Sequence, residues 1–170
     1  MMNLNTLPAI STKELAAVAD NAAEFIILFT GHYHKILSSH ASGQAQGEFT
    51  TEQNILLAFD VLDGQVSNGG FIQLIENGYG AYVFDTPLSD HLRSWGLMQA
   101  ADIIDKARIL YEPKKEILEK EKTLAEFAKL YQEHPEFEPL DNEYYKIADA
   151  QREAMKSYIL AHINSFAQIV

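Results

Sequence analysis

Carboxylates are the residues of this sequence whose spacing could do chemistry. Asp20 with Glu24, Asp60 with Asp63, Asp102 with Asp105 and Asp149 with Glu153 stand three or four residues apart, and Glu52 and Glu76 are further single acids. Such groups can act as general acid and base, as ligands of a two-metal centre, or as a row of fixed negative charge. The first two roles need company. A di-iron bundle brings its acids inward together with Glu-x-x-His motifs, and the sequence contains no Glu-x-x-His. His32-x-His34, with His40 nearby, is the best histidine cluster. Side chains two apart point about 200° away from each other on a helix, so these histidines read as separate, partly exposed groups. There is no cysteine, which removes thiolate catalysis, disulfides and Cys-based zinc sites. His-Glu-x-x-His, a Gly-x-Ser-x-Gly elbow and a glycine loop followed by Lys-Ser/Thr are also missing. The expectation is a non-enzyme with no catalytic, cofactor or metal site, in which the carboxylates act as charge.

That charge is large and unevenly placed. Lys and Arg total 13 against 24 Asp and Glu, a formal net charge of −11, which repels nucleic acid and anionic membranes and attracts basic partners. Between Lys35 and Arg93 there is no Lys or Arg, yet Glu48, Glu52, Asp60, Asp63, Glu76, Asp85 and Asp90 fall there. A second acidic window holds Glu133, Glu136, Glu138, Asp141 and Glu143. A surface tuned only for solubility intersperses both signs. Acids one helical turn apart are separated by roughly 5–6 Å of axial rise, which is on the scale of neighbouring phosphates on a nucleic-acid strand. Rows of this kind can offer a basic, DNA-reading surface a rigid polyanion.

The elements that must hold these acids read as helices. At 170 residues the chain fits one domain, 1–170, and 47% hydrophobic residues suffice for a core. Ser11 or Thr12 caps a first helix over 13–19, which runs on or kinks near Asp20 and Asn21 into a longer one ending near Ser39; 42–47 is a flexible connection. From Thr50 or Thr51 the periodicity puts Ile55, Ala58, Phe59, Leu62 and Val66 on one face. It puts Glu52, Gln53, Asp60, Asp63 and Ser67 on an outer stripe, with Leu56 the exception. Asn68-Gly69-Gly70 ends that helix, and a short apolar helix over 71–76 stops at Asn77-Gly78. Thr86-Pro87 starts a helix to Trp95, and Gly96 separates it from 97–110. Pro113 leads a charged helix to Gln132, its buried stripe Ile117, Leu124, Phe127, Ala128 and Tyr131. Asp141 caps the last helix, in which Tyr144, Ala148, Met155, Ile159, His162 and Phe166 align. No segment alternates with period two, so the expected fold is all-α, a single-domain multi-helix bundle with no significant sheet. The first ten residues lack a signal peptide's pattern and the longest apolar stretch, 25–30, is too short to span a bilayer, so a cytoplasmic location is expected.

One run is more specific than periodicity. Asp60-Val-Leu-Asp63-Gly-Gln-Val66-Ser-Asn68-Gly69-Gly70-Phe71-Ile-Gln73, followed by Asn77-Gly78 and Gly80, resembles the signature of the bacterial DNA-mimic protein family. Leu140-Asp141-Asn-Glu143-Tyr144-Tyr145 resembles that family's element near its last helix, and the similarity spans about 50–158. The resemblance implies an all-helical homodimer whose acidic face occupies the DNA-binding surface of a helix-turn-helix repressor and keeps it off its operator. It also leaves an alternative, since some relatives look like immunity proteins that neutralise a basic nuclease toxin. No direct nucleic-acid or membrane binding follows from either reading. On charge and helix geometry, Asp60, Asp63, Glu52 and Glu76 are the first candidates for the partner-binding face. Asp20, Glu24, Asp102, Asp105, Asp149 and Glu153 come second.

Overall fold

The computed structural model describes residues 7–39 and 49–170; the connection expected at 42–47, His40 and Glu48 lie outside them. The order is β1 (Ala9–Ile10), α1 (Thr12–Ala17), α2 (Ala22–Ser39), α3 (Thr51–Leu74), a π turn (Ile75–Tyr79), α4 (Gly80–Phe84), α5 (Leu88–Ser94), α6 (Met98–Tyr111), α7 (Lys115–Leu118), α8 (Leu124–Glu133), α9 (Glu138–Ala161) and β2 (Gln168–Ile169). The fold is all-α. Its sheet is two residues per strand, with Ala9 opposite Gln168 and Ile10 opposite Ile169 in parallel. No helix among the described residues is long and apolar enough to cross a membrane.

The chain forms two compact units, Met1–Asp60 with Arg152–Val170, and Val61–Gln151. In the first, local sequence signals set the helix ends. Ser11 and Glu14 form a reciprocal capping box at α1, and Asn21 accepts the Glu24 N–H at 3.1 Å to open α2 after a break. Thr50 and Gln53 cap α3 in the same reciprocal way, at 2.9 and 3.2 Å. Phe25, Phe29 and Tyr33 of α2 pack with Phe49, Phe59, Met155, Ile159 and Phe166 in the core, where the Tyr33 hydroxyl donates to the Phe166 carbonyl at 2.8 Å.

The start of α3 departs from the amphipathic expectation. Gln53 and Leu56 are fully buried, and Ile55 through Phe59 are buried without interruption. Such a segment is covered all round. Gln53 sits inside because its side chain serves the Thr50 cap, so the expected outer stripe does not exist as a solvent face there.

In the second unit, Leu62, Val66, Phe71, Leu74, Phe84, Leu92, Ile104, Tyr111 and Tyr144 form the core. The rings of Phe71, Phe84 and Tyr111 stand in a row with centroids 6.1 and 4.7 Å apart. Thr86 does not cap α5. Pro87 holds the cap position, and the Thr86 hydroxyl instead donates to the Tyr82 carbonyl at 3.0 Å. The Gln151 side chain accepts the Ala100 N–H at 3.1 Å, satisfying a first-turn donor of α6.

The helix expected from Pro113 to Gln132 is broken. A 3-10 turn (Glu112–Lys114) leads into α7, and α8 starts afresh from a Thr123–Glu126 capping box. The break shifts the helical phase and reverses the stripe. Leu118 and Leu130 are buried, while Ile117 and Leu124 are 62% and 84% exposed and Ala128 is also outside. His162 is likewise exposed, because α9 ends at Ala161 and a 3-10 turn brings Phe166 and Ala167 back to the core.

Candidate functional site

The candidate acids divide between the two units. In the first, Asp20 and Glu24 are exposed, on the break before α2 and in its first turn. The positive end of the α2 dipole favours Glu24 there. Neither holds a cation among the described residues. Glu52 and Asp60 of α3 are half-buried. Glu153 is exposed and lies 3.9 Å from Lys156, whose ammonium also reaches the Ala19 carbonyl.

In the second unit most candidates are already engaged. Asp63 is half-buried and accepts the Tyr144 hydroxyl at 2.9 Å. Glu76 faces Lys122 at 3.4 Å, with both side chains mostly covered. Asp102 and Asp105 are brought together by Arg93, at 3.0 and 2.8 Å, with Asp90 at 3.5 Å completing the cluster. Arg108 holds the other Asp105 oxygen at 3.0 Å. Partial burial pulls the Asp105 carboxyl upward, but the hydrogen bonds from Arg93 and Ser89 and the charges of Arg108 and Arg93 outweigh it and hold the group below its ordinary range. Arg93 closes the basic-free stretch, and it neutralises acids on both sides of itself in the sequence. Asp149 is exposed on α9. Among the described residues no three Asp, Glu or His side chains converge to hold a metal.

The Asn-Gly-Gly-Phe corner is built as a joint. Gly69 and Gly70 leave helical backbone, Gly70 at φ 75° and ψ −175°. That conformation is strained for any side chain, and a Cβ on Gly70 would also run into the Asp141 carboxylate. Around the corner the motif's polar side chains satisfy one another. The Asn68 amide donates to Gln73 at 3.0 Å, and the amides of Gln73 and Asn77 both donate to Gln65, at 3.1 and 2.7 Å.

Asp141 does not cap α9. It lies one turn inside that helix, and its Oδ1 accepts the Phe71 N–H at 2.8 Å. It therefore caps the helical segment that restarts after Gly70. The residue is only 8% exposed, and burial pushes its carboxyl up to about 6, against the Phe71 hydrogen bond and reinforced by the charge of Glu138. Beside it opens a half-enclosed pocket of about 530 Å³, whose lining includes Gly69, Ile72, Tyr131, Glu138, Asp141 and Tyr145. The Tyr131 hydroxyl donates to the Gly69 carbonyl at 2.7 Å and fixes one wall. Sequence reasoning missed this pocket. Its one visible signal was an acid–tyrosine run, Asp141 to Tyr145, which read as the start of a helix.

Comparison with known proteins places these features in a family. A family model described as DMP19-like protein matches residues 47–162. The chain is 39% identical over 122 residues to the DNA mimic protein DMP19 of Neisseria meningitidis serogroup B (strain ATCC BAA-335 / MC58), covering 69% of this chain and 72% of that protein.

Proposed function

Because the chain belongs to the DMP19-like protein family, we propose that it is a non-catalytic DNA mimic whose carboxylates occupy the DNA-binding face of a basic transcription factor. One observation carries the reading. The family match covers most of the stretch between Lys35 and Arg93 that lacks Lys and Arg, so the acidic asymmetry lies largely inside the part shared with that family. The partner is a helix-turn-helix repressor, which the protein keeps from its operator, acting as a cytoplasmic homodimer. Asp60, Asp63, Glu52 and Asp149 contribute local field from half-buried or exposed positions, and Asp20 and Glu24 contribute it from the surface. Asp102, Asp105, Glu76 and Glu153 contribute less, since each shares its charge with Arg93, Arg108, Lys122 or Lys156.

The test is capture of the partner from native lysate at low salt, followed by competition with that partner's own DNA. Mutually exclusive binding is expected. A captured protein that holds this chain and DNA together overturns the proposal, and capture of a nuclease whose activity is lost on binding replaces it with the immunity reading. Sedimentation of the purified protein checks the dimer.

A further inference from the structure

The pocket beside the Gly69-Gly70 corner holds two carboxylates, Asp141 and Glu138, two phenol rings, Tyr131 and Tyr145, and the His134 imidazole, which Glu136 engages at 3.3 Å. Asp141 is more than nine-tenths buried, yet the Phe71 N–H is its one hydrogen-bond donor among the described residues, and that bond uses Oδ1. No fully buried side-chain oxygen lacks a partner among the described residues, so the second oxygen, Oδ2, which lies against Gly70, is not completely covered. No Lys or Arg forms an ion pair with Asp141 or Glu138 among the described residues. The Asp141 charge is felt across the space. After burial, it is a further cause that raises both the Tyr131 and the Tyr145 hydroxyls. A pocket with a carboxylate floor, a second carboxylate and aromatic walls is complementary to a cation that is flat and weakly hydrated. Guanidinium meets carboxylates through paired N–H donors and stacks on aromatic faces, whereas ammonium is a compact, strongly hydrated charge.

We propose that this pocket receives an arginine side chain of the basic partner, its guanidinium between the Asp141 and Glu138 carboxylates and against the Tyr131 and Tyr145 rings. The assignment rests on the reading of the chain as a binder of a basic protein. It adds to that reading a shaped anchor, distinct from the diffuse field of the surface acids. In the family's terms the Gly-Gly-Phe corner then has a second use: the turn that frees the Phe71 N–H also fixes the carboxylate that meets the arginine.

The anchor can be tested without the partner. N-acetyl-arginine methylamide is titrated into the full chain at about pH 8, above the Asp141 titration, and amide and tyrosine resonances are followed by NMR. Saturable shifts confined to the pocket lining, among them Gly69, Tyr131, Glu138, Asp141 and Tyr145, are expected. The citrulline analogue, neutral and of the same shape, should produce none, and the lysine analogue should bind several-fold more weakly. Asp141→Asn keeps an acceptor for Phe71 and should weaken binding about tenfold; Glu138→Gln, at an exposed position, should weaken it less and leaves the fold intact. Equal binding of citrulline, equal binding of lysine, or unchanged affinity in Asp141→Asn would each overturn the assignment. Because neither DNA nor partner enters this titration, its failure leaves DNA mimicry standing, and failure of the DNA competition leaves the pocket standing.

Discussion

Asp141 is the residue through which local chemistry and global stability are linked. Its folded carboxyl titrates at about 6, above the roughly 4 of an unfolded aspartate. Between those values the folded state binds the proton more tightly, so this group adds stability at low pH and withdraws it as pH rises through its folded value. Glu14, Glu126 and Glu136 are shifted the opposite way and oppose the trend. Comparison with Asp141→Asn isolates the single group. Relative to that variant, wild type should lose on the order of 2 kcal/mol between about pH 4 and about pH 7, read from urea unfolding at each pH. Asp141→Ala removes the acceptor as well and orphans the Phe71 N–H, which should cost about 1–3 kcal/mol relative to Asn. Gly70→Ala combines positive φ with a clash against the carboxylate and should lower stability by about 2–4 kcal/mol in the same assay. None of this was legible in the sequence beyond the motif itself. The acid that caps Phe71 lies 70 residues away, and an aspartate near a helix start reads as a cap for that helix.

The elements show where periodicity works and where it fails. Helix starts at local capping residues were readable at Ser11 and Thr50, as was the glycine break after Asn68. The charged segment after Pro113 was not, because the Thr123–Glu126 capping box restarts the helix and shifts its phase. Paired truncations test the corrected phase. Leu130→Ala should destabilise by about 2–5 kcal/mol as a core deletion, while Leu124→Ala should stay within about 0.5 kcal/mol. Thr123→Ala should cost about 1 kcal/mol through loss of the cap. Thermal unfolding followed by circular dichroism distinguishes the three. If Leu124→Ala were the costly variant, the original stripe would be the correct one. For the candidate site, the sequence revealed which acids are present and how they are spaced. It did not reveal that Arg93 gathers three of them, since one arginine can reach Asp90, Asp102 and Asp105 only once α5 and α6 are placed side by side.

At the scale of the whole molecule, net charge and available charge differ. Reversing both exposed acids, Asp20→Lys with Glu24→Lys, should slow association with the basic partner roughly three- to tenfold at low salt and flatten the salt dependence. Stability should change little, which stopped-flow binding and unfolding together would check. Arg93→Gln should do the reverse. It costs about 1 kcal/mol or less in stability and raises the local negative potential by releasing Asp90 and Asp102, while Asp105 stays with Arg108. The arginine cluster also bears on the thermodynamics of recognition. An aspartate clamped by a guanidinium carries no loosely held sodium or potassium to give up, whereas an acid such as Glu24 does. The slope of log affinity against log salt should therefore count the acids without an internal cation rather than the full 24. Much of the drive to associate would then be the entropy of small ions returning to bulk water.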